Sequence, residues 1–168
     1  MVGLMVDNPD PVVKDVPQVC ANNEDGFDSS DVFDIIGCIR DPEHPFSLAQ
    51  LDVISQENIE ITVETRESSS KPPQRKPEGS IHVMLKPTVP HCSYITLIAL
   101  CVHSRLQRYL PVDVNWKIRL TILKGAHKND EALTKQFNDK ERVCAALENP
   151  DVLKDVERCI DDDMCIYS

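Results

Sequence analysis

The sequence predicts an α+β fold: a two-layer sandwich in which helices cover a small, mixed or antiparallel three-stranded sheet. Residues 59–64, 81–86 and 116–122 alternate apolar and polar side chains, as strands with one solvated face do. Four other segments repeat apolar residues at the period of an amphipathic helix. The predicted order is α-β-β-α-β-α-α. Because a sheet with one apolar face needs one covering layer, two layers are sufficient.

The first predicted helix begins at Asp28-Ser29-Ser30-Asp31, where aspartate and serine both favour the N-cap. Its apolar stripe is Val32, Ile35, Ile36 and Ile39, and Pro42 lies beyond its end. Ser47-Leu48-Ala49-Gln50 has the spacing of a capping box and predicts one short helical turn. The first two strands then form a hairpin. Its loop, residues 65–79, is rich in Ser, Pro, Lys and Arg and is expected to be a flexible insertion.

The central helix is predicted between Pro90 and Pro111, with Ser93 or the residue before it as the N-cap. Cys92 would then lie at a helix N-terminus, where free N–H groups and the helix dipole favour an anion. A thiol in such a place tends to have a lowered pKa and a larger thiolate fraction. The other interpretation, that Cys92 is a small buried hydrophobic residue, is equally compatible with its local sequence.

Two helices are predicted after the third strand. Asn129 would cap the first, which carries two acidic residues in its first turn and an apolar stripe of Leu133, Phe137, Val143, Cys144 and Leu147. Asn149-Pro150 predicts the start of the last helix, with proline at its first position. The stripe of that helix is Val152, Leu153, Val156 and Ile160.

Composition predicts one domain, residues 29–160, between a disordered acidic tail at 1–28 and an acidic end at 161–168. The net charge of -10 argues against nucleic acid as a partner. No apolar run is long enough to span a bilayer and no signal peptide is recognisable, so a cytosolic or nuclear protein is expected. The seven cysteines are odd in number and lack C-x-x-C spacing, which argues against a disulfide framework or a self-contained zinc knuckle.

Cys92 is the centre of the candidate chemistry, with His91 beside it and two carboxylates, Asp41 and Glu43, in a proline-rich turn. A cysteine hydrolase would use these residue types. A thiolate with a neighbouring imidazole or carboxylate is also a partial ligand set for a soft metal. Four cysteines do not occur together, so any cluster would be shared or transient. Lys140-Glu141-Arg142 is either the solvated face of a helix or a docking surface for a partner.

Three ordered motifs resemble the cytosolic iron–sulfur assembly component 2 family, the MIP-eighteen family, which is the eukaryotic branch of the SufT/PaaD-like proteins. They are Asp41-Pro42-Glu43-His44-Pro45, then Thr88-Val89-Pro90-His91-Cys92-Ser93, and then Asp139-Lys140-Glu141-Arg142-Val143. The resemblance covers about residues 31 to 160. This chain differs in its longer basic loop at 65–79, in Cys144 where alanine is usual, and in Gly125-Ala126-His127 where Gly-Thr-His is usual.

The resemblance implies a non-enzymatic adaptor that helps transfer iron–sulfur clusters to client apoproteins in the cytoplasm, with the nucleus as a second location. It implies a WD-repeat propeller protein and a HEAT-repeat scaffold as partners, and for some members a homodimer. Its reactive cysteine corresponds to Cys92, supported by His91, Asp41, Glu43 and Thr88, with a transient iron–sulfur cluster or zinc and no organic cofactor. Neither nucleic acid nor membrane is expected as a partner. A cysteine hydrolase and a small metal-binding interaction module stay open as alternatives.

Overall fold

The computed structural model describes residues 11–15, 26–64 and 75–161. In chain order the elements are α1 (Ser29–Gly37), a short 3₁₀ turn (Gln56–Asn58), β1 (Ile59–Val63), β2 (Glu78–Leu85), α2 (Ile95–Tyr109), β3 (Asn115–Ile122), α3 (Asp130–Phe137), α4 (Lys140–Glu148) and α5 (Pro150–Ile160). The α+β prediction is therefore confirmed.

The sheet has the order β1-β2-β3, so the middle strand pairs with both others. β1 runs antiparallel to β2, with Ile59 opposite Val83, and β2 runs parallel to β3, with Ile81 opposite Ile118. Of the two alternatives left open by the sequence, the mixed sheet is correct. The parallel pair is possible because α2 provides the long crossover between its strands.

The core lies between the sheet and the helices. The alternating residues of the central strand are fully buried, while the edge strand β1 is buried only at its start and leaves Val63 39% exposed. Burying one such aliphatic side chain contributes about 1.5–3 kcal/mol. The most deeply buried large side chains, drawn from both layers, are Ile36, Ile39, Leu48, Ile54, Ile81, Leu85, Ile95, Ile98, Leu106 and Leu120.

The predicted capping residues are confirmed at three places in the domain. Asp28 caps α1: its Oδ1 accepts from the N–H of Ser30 at 2.7 Å, and Asp31 accepts from the N–H of Asp28 at 2.8 Å. Ser47 and Gln50 form the reciprocal bonds of a capping box around a single turn. The last helix begins as predicted, with Pro150 at its first position and the Asn149 side chain accepting from Asp151 N–H.

The helix predicted over residues 130–147 is wrong in one respect, because it is two helices. Asn138 ends α3 and Asp139 caps α4. The Asp139 carboxylate accepts hydrogen bonds from the N–H groups of Glu141 and Arg142 in the first turn of α4. The helix breaks there because Asn138 bonds to the main chain of β3: its Oδ1 accepts from Leu120 N–H at 3.1 Å and its Nδ2 donates to Leu120 O at 2.7 Å. The order is therefore α-β-β-α-β-α-α-α.

Two predicted stripe residues also lie outside the core. The break changes the rotation of α4, so Cys144 is exposed while Val143 is buried. Leu153 of α5 is 40% exposed, and Cys159 takes a buried place on that helix instead.

Two pieces of the predicted acidic tail lie against the domain. Lys14 donates its N–H to Gln50 O at 2.7 Å and pairs with Asp52 at 2.8 Å. Phe27 packs on Trp116, with ring centroids 5.5 Å apart. Residues 65–74 of the predicted loop and 162–168 of the acidic end lie outside the described residues, and β2 begins at Glu78, inside the predicted loop. Among the described residues, no helix has the length and apolarity to cross a membrane.

Candidate functional site

Cys92 lies in the connection between β2 and α2, in a turn closed by its own N–H donating to Val89 O at 3.2 Å. The predicted cap at Ser93 is wrong: α2 begins at Ile95, and the residue at its N-cap is Tyr94, which makes no side-chain capping bond. Cys92 therefore precedes the helix by three residues and is only 9% exposed.

Burial raises the pKa of the Cys92 thiol above its usual value. The N–H groups of Tyr94 and Ile95 at the start of α2 act in the opposite direction, as expected for a helix N-terminus, and the carboxylates of Asp41 and Glu43 raise the pKa further. The helix N-terminus thus lowers the pKa of Cys92 as expected, but the effect of burial is larger. Since desolvation dominates, Cys92 is a protonated thiol in the isolated chain near neutral pH.

The acidic turn is ordered by the side chain of Asp41, which is 8% exposed. Its Oδ1 accepts from the N–H groups of Glu43 and His44, each at 2.9 Å, and lies 3.0 Å from Nδ1 of His44. Asp41 N–H donates to Phe46 O at 3.0 Å, which closes the turn. One carboxylate oxygen therefore fixes a rigid loop whose negative charge acts on Cys92.

Two clefts adjoin this region. One, of about 330 Å³, is lined by His91, Cys92, Ser93, Ile95, Thr96, His127, Lys128, Asn129 and Leu133. The other, of about 550 Å³, has walls that include Glu43, His44, Thr88 and Val89. The structure therefore brings the predicted residues into one neighbourhood, with Cys92 and His91 in the first cleft and Glu43 and Thr88 in the second.

His127 lines the same cleft as Cys92, and its Nδ1 accepts from Asn129 N–H at 3.0 Å. Gly125, with φ +80°, turns the chain after β3, and Asp130 accepts its N–H at 3.0 Å. Lys128 N–H then donates to Pro90 O at 3.2 Å, which holds this loop against the Cys92 turn. In the sequence, only the Gly125-Ala126-His127 motif could have indicated that His127 lies near Cys92, because no local periodicity does so.

A resident metal centre is not supported by the donor set: among the described residues, no three His, Cys, Asp or Glu side chains are arranged to hold an ion. The hydrolase arrangement also lacks its central contact, because no hydrogen bond joins His91 to Cys92 in this part of the chain, and the thiol pKa is raised rather than lowered. What the site offers is one buried thiol beside two imidazoles and a fixed pair of carboxylates.

A second group of cysteines lies in the helical layer. Cys101 of α2 and Cys159 of α5 interact side chain to side chain. The hydrogen bond between them and then burial raise the pKa of Cys101. The same hydrogen bond lowers the pKa of Cys159, against the opposing effect of burial. Beside them Arg105, 5% exposed, donates to Ile35 O at 2.9 Å and to Ile160 O at 2.6 Å. These contacts join α1, α2 and α5, and sequence patterns gave no indication of them.

Lys140, Glu141 and Arg142 are all exposed on the first turn of α4. Arg142 lies 3.5 Å from the capping carboxylate of Asp139. Lys140 lines a cleft of about 480 Å³ between α4 and β3. The three side chains are therefore accessible to a partner, as the docking interpretation requires.

Known proteins resemble the chain along most of its length. It is 38% identical over 147 residues to MIP18 family protein FAM96A of Dictyostelium discoideum, covering 84% of this chain and 97% of that protein. It is 39% identical over 136 residues to cytosolic iron-sulfur assembly component 2B of Mus musculus, covering 81% and 74%. MIP18 family protein galla-1 of Drosophila melanogaster is 40% identical over 132 residues, 79% of this chain but only 56% of that longer protein. No protein-family model matches the chain.

Proposed function

Because the chain belongs to the MIP18 family, we propose that it takes part in iron–sulfur protein assembly as a non-enzymatic adaptor that helps deliver clusters to apoproteins. A relative that matches over most of both chains carries iron–sulfur assembly in its name, which supports the general role. The finer role, delivery through a reactive cysteine, depends on the chemistry around Cys92.

The observation that carries this role is the single thiol at the wall of an open cleft. Cys92 shares this cleft with His91 and His127. Among the described residues, no three potential ligands are arranged so that they could enclose an ion. One soft ligand at the wall of a cleft suits transient contact with a cluster held mainly by another protein, because a cluster bound by four thiolates of one chain would not readily leave.

The raised pKa of Cys92 is compatible with this role. Metal binding displaces the proton from a thiol, so a cluster that approaches would create its own ligand, while the free protein holds a less reactive neutral thiol. Asp41 and Glu43 would then disfavour a free thiolate and oppose its reaction with anionic electrophiles. The cluster in this scheme is cargo, not a resident cofactor, and zinc would occupy the same single-thiol position.

The partners proposed are a WD-repeat propeller protein, a HEAT-repeat scaffold and client apoproteins, with Lys140, Glu141 and Arg142 as contact residues. Charged and exposed side chains on a rigid helix turn steer and orient a protein partner. The name of the mouse relative supports the cytoplasm as the place of action. A nuclear pool and a homodimer are further parts of the proposal.

Affinity purification of the full chain from cytosol, with mass spectrometry, tests the adaptor role. We expect a WD-repeat protein to be recovered with the wild-type chain, and recovery to fall when Lys140 and Arg142 are both changed to glutamate. Lys124→Glu with Lys154→Glu, two exposed lysines on other elements, is the charge-matched control. Recovery of no such protein would contradict the proposal. Turnover of model esters that requires Cys92 would favour the hydrolase instead.

A further inference from the structure

The outer edge of β3 is capped along only half of its length. Near its C-terminal end, Asn138 bonds to both main-chain groups of Leu120, and Thr134 Oγ1 accepts from Ile122 N–H at 3.1 Å. These α3 side chains take the place of a neighbouring strand. Because alternate residues of a strand direct their N–H and C=O groups to the same side, the main-chain groups of Trp116 and Ile118 lie on this edge too. No side chain among the described residues bonds to them.

The uncapped half of the edge opens on the cleft of about 480 Å³ between β3 and α4. Val143 and Leu147 of α4 line it on the helical side, together with Phe137. No aspartate or glutamate is among the residues that line it, although the whole chain has 28 acidic and 18 basic residues. Lys140 of α4 supplies a positive charge at its wall. Lys117 and Arg119 are both exposed on the opposite, solvated face of β3, where Lys117 pairs with Glu78 of β2 at 2.9 Å.

We infer that this edge binds an extended segment of a partner protein, in which apolar side chains alternate with acidic ones. Such a segment would add a fourth strand beside Trp116 and Ile118 through main-chain hydrogen bonds. Its side chains would alternate between the two faces of the enlarged sheet. One set would enter the apolar cleft against Val143 and Leu147, and the other would lie beside Lys117 and Arg119. The apolar face and the basic face of β3 thus account for the alternation of apolar and acidic side chains in the partner segment.

A second copy of the chain fits this edge less well. In an antiparallel pair that uses both open residues, Trp116 would oppose Ile118 of the other copy, and Lys117 would then lie opposite Lys117. Like charges directly opposite one another destabilise a strand pair. The same lysine protects the edge against unspecific pairing, so an edge that is guarded and binds nothing is the main alternative.

The test uses the full chain and a displayed library of random peptides of about twelve residues, long enough to span the open edge several times over. We expect the selected peptides to alternate apolar and acidic residues. Their synthetic forms should change the fluorescence of Trp116, the single tryptophan of the chain, in a saturable manner. Methylation of the peptide amides that face β3 should abolish binding, whereas methylation of the intervening amides should not, because only the first set donates to the edge.

Lys117→Glu should weaken the binding about fivefold to tenfold, because it replaces an attraction by a repulsion. Lys124→Glu, at an exposed lysine outside the cleft, should leave affinity within about twofold. Cys92 takes no part in this edge, so Cys92→Ser should bind the peptides as the wild type does, and failure here is separable from failure of the cluster-delivery role.

Three outcomes would overturn the inference. The first is a set of selected peptides that lack the alternation or bind regardless of amide methylation. The second is that the fluorescence change saturates for no peptide below about 1 mM, since binding weaker than this is too weak for useful recognition. The edge would then be guarded and bind nothing. Finally, sedimentation that shows a dimer, strengthened when Lys117→Gln removes the like-charge pair, would make a second copy of the chain the occupant.

Discussion

Cys92 and Cys144 show how differently two thiols can be placed in one small domain. Cys92 is 9% exposed in a turn held by long-range contacts, with a pKa raised by burial, and it lies in the motif shared with the family. Cys144 is exposed on α4, outside that motif. The difference teaches that exposure and a proposed functional role need not coincide, because the proposed ligand is the shielded thiol and the accessible thiol is the one to which no role is assigned.

The largest expected effect is on alkylation of the folded chain. Iodoacetamide should modify Cys144 at least about tenfold faster than Cys92, because Cys144 is exposed whereas Cys92 is buried and burial raises the pKa of its thiol. This order reverses the one expected from a helix N-terminus. Cys101 and Cys159, both buried, should be slower still. Peptide mass spectrometry at a series of reaction times measures all four, and faster modification of Cys92 would break the comparison.

The next effect concerns the turn that shields Cys92. Asp41→Ala removes the acceptor of two main-chain N–H groups and should lower the free energy of unfolding by about 1–3 kcal/mol. Asp41→Asn keeps an acceptor oxygen but removes the charge, so it should cost less stability while lowering the pKa of Cys92. Glu43→Gln, which removes a charge without loss of a turn bond, is the control. Urea denaturation and the pH dependence of alkylation measure the two effects, and equal destabilisation by Asp41→Ala and Asp41→Asn would refute the turn-holding role.

A smaller effect is expected for Cys92→Ser. A serine at position 92 would not cap α2, since the N-cap residue is Tyr94. The hydroxyl can instead accept from the N–H groups of Tyr94 and Ile95, which already interact with the thiol. We therefore expect a loss of at most about 1 kcal/mol, one net hydrogen bond, compared with almost none for Cys144→Ser. Unfolding of the Cys92 variant at room temperature would make this cysteine structural.

The smallest effect lies on the α4 side of the domain, where His103 is partly buried and its Nδ1 atom has no partner among the described residues. Burial lowers the pKa of His103, and Lys140 of α4 lowers it further. The unfolded chain then binds more protons than the folded one, so stability is complete above about pH 6.5 and falls as the pH drops below that value. His103→Gln should flatten this dependence in urea denaturation between about pH 7.5 and 5.5, the range that spans the usual pKa. His91→Asn, at an exposed histidine, should not.

Sequence reasoning succeeded where the cause is local. The cap at Asp28, the capping box at Ser47 and the start of α5 all depend on residues within four positions of one another. Strand alternation likewise gave the three strands. The neighbourhood of Cys92 was accessible only through motifs, because the carboxylates that act on it come from a turn about fifty residues away in the chain.

The failures have long-range causes. The break at Asn138 depends on its bonds to Leu120, eighteen residues earlier, and the exposure of Cys144 follows from that break. The sign of the Cys92 pKa shift depends on desolvation by the assembled core, which no local pattern encodes. His127 reaches the cleft through a loop fixed by the contact between Lys128 and Pro90.

The most direct test of the central claim is cluster loading of client proteins in cells that lack the native protein. Radioactive iron incorporated into a client would be measured after complementation with the wild type, Cys92→Ser or Cys144→Ser, each at matched abundance and with its fold verified. We predict that Cys92→Ser loses most of the incorporation, since a serine hydroxyl is a poor ligand for a soft metal, and that Cys144→Ser retains it. Full incorporation with Cys92→Ser, or an equal loss with both variants, would contradict the role proposed for Cys92.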